Sequence, residues 1–206
     1  MIKITKLNKT IKHNHILKDI DLEINKGDRI ALIGGNGAGK TTLIETILGI
    51  QPYDRGAINY RFDYSYSPLE KIGIQFQDAN YPRGLTVKRI IEFFKEKSIA
   101  PNHKLIERFI KELEMDKFMD TDGSQISGGE AQKLNILLAL INNPEIIILD
   151  ELTTGLDVVA KNSILGFIQE YIEEHKDLTL VLITHTPSEI TRFCNKVVLM
   201  KDGKIE

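Results

Sequence analysis

Gly34-Gly35-Asn36-Gly37-Ala38-Gly39-Lys40-Thr41 has the pattern Gly, four residues, Gly-Lys-Thr, between the apolar run 30–33 and a helical pattern at 41–48. That order suits phosphate binding. Glycines let successive backbone N–H groups point into one concavity, and the helix start adds the positive end of its dipole. Lys40 brings a point charge for the β and γ phosphates, and Thr41 a hydroxyl for a Mg²⁺ ion bridging them. A dinucleotide loop is disfavoured, because the glycines do not fit G-x-G-x-x-G and a lysine closes the loop. The loop therefore reads as a site for a nucleoside triphosphate.

A second place for chemistry is the end of the run Ile146-Ile147-Ile148-Leu149-Asp150-Glu151. Ligands of open α/β sheets bind at the C-terminal ends of strands, where these two carboxylates fall. Asp150 can hold Mg²⁺ through water, while Glu151 can polarise an attacking water. Two carboxylates can also simply end a strand in solvent; the phosphate loop in the same chain favours the chemical roles. A third place is Ser127-Gly128-Gly129-Glu130, ahead of a helical pattern in Leu134, Leu137, Leu138 and Ile141. Ser-x-x-Glu is a capping box in its own right. The Gly-Gly pair costs conformational entropy and suits a backbone that something approaches closely, such as an anion at the helix N-terminus. Both roles can hold together.

The elements that must carry these residues follow from periodicity. Ile2 and Ile4, then Ile20, Leu22 and Ile24, alternate with polar residues and predict strands with one wet face, an antiparallel margin. The runs 30–33, 146–149 and 179–183 are continuously apolar, as parallel strands covered on both faces are. Val87, Ile90, Ile91 and Phe94, and again Ile106, Phe109, Ile110 and Leu113, fall at i, i+3, i+4, i+7, which predicts a mostly helical block over 85–142. Asn142-Asn143-Pro144 ends it. Thr186-Pro187-Ser188-Glu189 reads as a capping box with Pro at the first helical position. The expected fold is α/β: a mostly parallel sheet with an antiparallel N-terminal β margin and an inserted helical subdomain. One domain of 206 residues is expected, with core segments 1–84 and 143–206 and the subdomain at 85–142.

With 42% hydrophobic and 27% charged residues and a net charge of −2, disorder is excluded and no nucleic-acid partner is expected. A single cysteine, Cys194, cannot form an internal disulfide, and no Cys/His cluster has zinc-ligand spacing. No apolar run approaches the roughly 18 residues of a membrane span. The N-terminal lysines precede no apolar stretch of the kind a signal peptide has. His13, His15, His103 and His175 have no partner spacing, so surface or capping roles are expected. Tyr53, Tyr60, Tyr64, Tyr66 and Tyr81 are expected in core and strand packing.

Over essentially its whole length the chain resembles the ATP-binding cassette (ABC) ATPases, which are P-loop NTPases. Gly34 to Thr42 is similar to their Walker A, Ile126-Ser127-Gly128-Gly129-Glu130 to their signature, and Ile146 to Glu151 to their Walker B. Gln77 resembles the Q-loop glutamine, with Gln75 as competing candidate; Gly155-Leu156-Asp157 resembles the D-loop and His185 the switch histidine. The matches occur in the family's order. The resemblance implies two cassettes packed head to tail, so that Ser127 and the Gly128 and Gly129 amides contact the γ-phosphate held by the other copy. It further implies that Gln77 senses Mg²⁺ and water, His185 holds the γ-phosphate, and Asp157 links the two sites. Ile11 stands where the family's adenine-stacking aromatic falls, Leu152 where its proline follows Walker B, and Glu130 where glutamine is commoner. Looser base selectivity is therefore expected.

The implied function is an ATPase subunit of an ABC transporter, with ATP and Mg²⁺ as ligands. It would work as an ATP-dependent homodimer, or a pseudo-homodimer with a paralogue, on separate transmembrane permease subunits. Residues 78–85 and the helical block would receive the permease, export is expected over import, and the location would be cytoplasmic and peripheral on the inner face of the cell membrane. A soluble ABC ATPase of the cluster-assembly type is the alternative; a P-loop kinase is disfavoured by the signature and His185.

Overall fold

The computed structural model describes residues 1–76 and 81–206. Along the chain run β1 (Ile2–Ile11), β2 (Asn14–Ile24), β3 (Arg29–Ile33), α1 (Lys40–Ile47), β4 (Arg55–Tyr60), β5 (Ile72–Gln75), α2 (Val87–Lys97), α3 (His103–Glu112), α4 (Gly128–Leu140) and β6 (Ile146–Asp150). There follow α5 (Val158–Glu174), β7 (Thr179–Ile183), α6 (Pro187–Phe193), β8 (Lys196–Lys201) and β9 (Lys204–Ile205). They form two compact units, residues 1–69 with 179–206 and residues 70–178.

In the first unit β2, β1 and β4 make an antiparallel sheet in that order. Ile2 and Ile4 are buried opposite Ile24 and Leu22, as alternation predicts. The next buried residue is Leu7, an odd step, because the register shifts after Ile4 and Lys6 takes a φ of 45°. Such a bulge moves the apolar series back onto the core face. β7, β3 and β8 are parallel, with β3 between the other two and Ile30 opposite Val181 and Lys196. β7 is buried along its length, as a strand covered on both faces must be. Asp202 at φ 49° and Gly203 at φ 79° close the β8–β9 hairpin. A two-residue turn of this kind needs positive φ at both positions.

In the second unit β5 and β6 pair in parallel, Ile72 opposite Ile146 and Ile74 opposite Ile148. Helices α2 to α5 accompany them. Thr86 caps α2 by accepting from Arg89 N–H at 3.3 Å, and Asn102 caps α3 by accepting from Leu105 N–H at 3.1 Å. α4 lies so close to β5 that a Cβ on Gly73 would sit 2.0 Å from the Ala139 carbonyl oxygen. Arg108 joins α3 to α5: its guanidinium pairs with Glu112, Glu170 and Glu174 at 2.6–2.8 Å and lies 5.2 Å from the centre of the Phe167 ring. Among the described residues no helix is long and apolar enough to cross a membrane.

Several expectations change here. β4 was not legible in its sequence, and the helical block is broken by turns at 98–102 and 113–127. Phe94 completes the predicted stripe of α2 yet is 41% exposed. Tyr53, Tyr64 and Tyr66 are also exposed; Tyr60, half-buried, meets Phe62 and Tyr64 edge to face. The expected capping box at α6 does not form: Thr186 makes no side-chain cap, its N–H donates to the Thr184 hydroxyl at 3.0 Å, and the buried Glu189 accepts from that hydroxyl at 2.5 Å. The tight α4–β5 approach predicts that Gly73→Ala lowers stability by about 1–3 kcal/mol. Gly166→Ala, in α5 with open space around its Cβ, should raise it by roughly 0.5–1 kcal/mol. Urea unfolding of the two variants checks the opposite signs.

Candidate functional site

In the first unit β3 runs into the phosphate loop. A Cβ on Gly34 would stand 2.2 Å from the Met200 carbonyl oxygen, so the β8 backbone passes directly behind the loop. Gly39 caps α1 at a φ of 102°, with the Ile16 carbonyl 3.2 Å from where a Cβ would be. The β8–β9 turn ties these parts together: Gly203 N–H donates to Ala38 O at 3.2 Å, and Lys18 N–H donates to Gly203 O at 2.8 Å. Gly35, Asn36, Gly37 and Thr41 are exposed, Thr42 is half-buried and Ala38 is buried. Lys40 is only 9% exposed; its Nζ folds back into the loop and donates to Gly34 O at 2.7 Å and Gly35 O at 3.1 Å. The cation is thus centred on the loop's own backbone.

The same unit carries His185, exposed just beyond β7, and Ile11, 37% exposed at the end of β1. Ile11 offers an apolar face and no ring. Asp28 steadies the entry to β3. Both of its oxygens accept from Lys196 Nζ at 2.7 Å, and Asn25 N–H donates to it at 2.8 Å. Burial raises this carboxyl, but the Lys196 and Asn25 bonds outweigh that and leave it below the usual aspartate range.

In the second unit Asp150 ends β6 and is 8% exposed. Glu151 follows in the left-handed region, φ 51°, half-buried. A non-glycine residue there is strained and needs its surroundings to hold it. Gln75 ends β5 fully buried, with its amide on the backbone of Asp150. Gln77 lies outside the described residues. With its side chain committed to that strand end, Gln75 is not presented to a ligand.

Ser127 caps α4, and the capping box is complete: Ser127 Oγ accepts from Glu130 N–H at 3.3 Å, and Glu130 Oε2 accepts from Ser127 N–H at 2.8 Å. Neither glycine of the pair is required by this chain's packing. A Cβ on Gly128 would meet nothing within 4 Å, and one on Gly129 only ordinary contacts at 3.8 Å. Asp157 caps α5, its Oδ1 accepting from Val159 and Ala160 N–H groups at 2.9 Å each. The Ala160 bond, ahead of Val159's, holds its carboxyl below the usual range. Beside it Val158 and Val159 are 73% and 76% exposed. Gln132, one helical turn into α4, was missed from sequence; it is 8% exposed and donates to Leu152 O at 2.8 Å. The signal was a polar residue in register with buried Ile136 and Ala139. His175 ends α5 with Nδ1 2.8 Å from Tyr171 O, a capping role as expected. Burial pushes the Cys194 thiol up to about 11.

Among the described residues no cluster of His, Cys, Asp and Glu forms a metal cage. Each unit by itself offers a hard oxygen donor, a threonine hydroxyl at the head of α1 in the first and a carboxylate at the end of β6 in the second. Donors of this kind suit Mg²⁺, which keeps waters and takes few protein ligands.

A strand, a glycine loop tight against neighbouring backbone and a Lys-Thr helix start define the fold as that of a P-loop NTPase. The chain belongs to the ABC transporter family, whose model matches residues 17–154. It is 35% identical to the energy-coupling factor transporter ATP-binding protein EcfA of Pediococcus pentosaceus, over 92% of this chain and 70% of that one. It is 34% identical to the sulfate/thiosulfate import ATP-binding protein CysA of Pectobacterium atrosepticum, over 100% and 65%. It is also 34% identical to the methionine import ATP-binding protein MetN of Lactobacillus johnsonii, over 93% and 59%. The chain therefore spans 59–70% of the length of these relatives. Among solved structures, an ATP-binding cassette dimer in a post-hydrolysis state with ADP and Pi matches with TM-score 0.84 and 27% identity, over 100% of this chain and 97% of that one. cbiO1 of Clostridium perfringens, part of the ABC transporter complex cbiONQ, matches with TM-score 0.78 and 28% identity, over 100% and 86%. CysA and MetN are named as import proteins, which goes against the expectation of export.

The Asp28–Lys196 pair carries a pH prediction. The folded pKa of Asp28 lies below its unfolded value of about 3.9. Its stabilising contribution is thus complete above that pH and is lost as pH falls through the folded value. Asp28→Asn should flatten the acid limb of stability in urea titrations between neutral and acid pH; an unchanged slope would remove Asp28 from it.

Proposed function

We propose that the chain is the ATP-hydrolysing subunit of a transporter, that two copies close on ATP, and that closure and reopening drive separate membrane-spanning permease subunits, in the import direction. The observation that carries this is the phosphate loop: backbone pressed against β8 and β2, with Lys40 gathered into its arc. Family membership and the names of the relatives support the rest. The import direction rests on CysA and MetN alone.

In this reading the amides from Gly34 to Gly39 and Lys40 bind the β and γ phosphates. Thr41 and Asp150, with Gln77, would hold Mg²⁺, which neutralises charge on those phosphates. Glu151 orients a water and takes its proton as the water attacks the γ-phosphorus and the bond to the β–γ bridging oxygen breaks, releasing ADP and phosphate, while His185 holds the γ-phosphate oxygens. Asn36, Ala38 and Thr42 complete the loop, and Ile11 covers the base without stacking on it. Ser127, Gly128 and Gly129 approach the triphosphate held by the second copy, with Glu130 fixing their helix start. The empty space over both glycines supports that approach. Asp157 links the two sites, and the exposed Val158 and Val159 supply apolar surface for the second copy to cover.

In this reading the permease docks on the second unit. There Phe76, Tyr81, Phe94 and Leu138 help line a groove of about 470 Å³; of the expected segment 78–85, residues 78–80 lie outside those described. The Tyr81 hydroxyl bonds Asn135 on its wall. Copurification with a hydrophobic chain separates a transporter subunit from a soluble assembly ATPase.

Glu151→Gln removes the base and keeps the side chain's shape. It should lower kcat by about 10²–10⁴-fold and leave ATP affinity intact, so that the ATP-bound dimer accumulates. Phosphate release and nucleotide-binding titrations measure both; normal turnover would end the role given to Glu151.

A further inference from the structure

Glu151, in the left-handed region at φ 51°, has both of its chain neighbours bonded through their backbone to buried side chains. Before it, Asp150 N–H donates to Gln75 Oε1 at 3.1 Å, and Asp150 O accepts from Gln75 Nε2 at 3.1 Å. After it, Leu152 O accepts from Gln132 Nε2 at 2.8 Å. The orientation of each amide is forced by these partners, since a backbone N–H can only donate and a carbonyl only accept. The two side chains then face each other correctly, Gln75 Nε2 toward Gln132 Oε1 at a long 3.5 Å, and Gln75 Nε2 also donates to Phe76 O at 2.7 Å. Gln75 is 1% exposed, Gln132 8% and Leu152 0%, so water does not compete for these bonds.

We infer that Gln75 and Gln132 are positioning residues for the hydrolytic step: together they fix the backbone on both sides of Glu151 and so aim its carboxylate. The inference rests on the role proposed for Glu151. It also assigns a physical connection. Gln132 stands on α4, the helix that Ser127 caps and that begins with the exposed glycine pair; Gln75 stands at the end of β5, two residues before Gln77. A shift of α4 along its axis pulls on the Leu152 carbonyl, one residue beyond Glu151, and a shift of β5 pulls on the Asp150 backbone before it. Engagement of Gly128 and Gly129 is therefore felt at Glu151 through one side chain.

An ordinary buried amide pair would contribute to stability and nothing more. The test uses the full chain with Gln75→Met and Gln132→Met, which keep side-chain length and can neither donate nor accept as an amide does. The expected result is a fall in kcat of about tenfold or more for each, with KM for ATP and the dissociation constant of a non-hydrolysable ATP analogue within about twofold of the parent. Unchanged kcat with only a lower unfolding midpoint overturns the inference, as does loss of kcat and nucleotide affinity together. If Gln75→Met does not fold, Gln132→Met decides, because it leaves both Asp150 bonds in place; failure of both to fold also overturns it, by making the pair a requirement of the fold. Glu151→Gln, measured alongside, separates the two claims. Normal turnover in that variant sinks the role of Glu151, whereas its inactivity together with normal kcat in both methionine variants sinks only the positioning role.

Discussion

Backbone stands against backbone around the phosphate loop with no room for a side chain. At Gly34 the Met200 carbonyl occupies the space a Cβ would need, and at Gly39 the Ile16 carbonyl crowds it. Close packing of this kind lets few loop conformations survive, so the N–H groups that would meet phosphate are set before any ligand arrives. Much of the first unit exists to hold that approach. β8 must run parallel to β3, the Asp202-Gly203 turn must return beneath Ala38, and Asp28 must anchor the start of β3 to Lys196. The charge on Lys40 is then placed by its own loop, through the carbonyls of Gly34 and Gly35.

The second unit solves a different problem, that of presenting a carboxylate from a strained backbone. Glu151 adopts a conformation disfavoured for any residue but glycine, and such strain persists only where the surroundings over-determine it. Here the over-determination is polar and buried. Two glutamine amides, shielded from water, bond the backbone of Asp150 before it and of Leu152 after it, and so have hydrogen-bond partners of their own. The helix bearing one of them opens with glycines that no neighbour in the chain requires. Helix propensity alone would put alanine there, and the departure points outward, to a surface meant to be approached.

Much of this was legible in residue order. The continuous apolar runs became β3, β6 and β7, the alternating pairs became β1 and β2, and the Ser127–Glu130 box formed as its spacing requires. What was hidden has physical causes. β4, Arg-Gly-Ala-Ile-Asn-Tyr, is held by pairing to β1 and has too few apolar residues to show a period. Glu189 had the spacing of a cap, but a buried hydroxyl on Thr184 out-competes the helix N-terminus for its carboxylate. Phe94 kept the helical period and still faces out, since period places a residue on a face and cannot say what covers that face. The roles of Gln75 and Gln132 depend on bonds to backbone across long sequence separations, which no local pattern records. The expectation of export, which the names of CysA and MetN go against, had no basis in the site: chemistry at a triphosphate has no inward or outward sense.

The central claim is that nucleotide is hydrolysed in a site two copies share, a phosphate loop from one and the start of α4 from the other. The most direct measurement is the rate of phosphate release per chain as the protein is diluted under saturating Mg²⁺-ATP. A shared site predicts that the specific rate falls toward zero with dilution, as the square law of pairing requires, and recovers on concentration. A specific rate that stays constant down to concentrations where sedimentation shows only single copies would contradict the account.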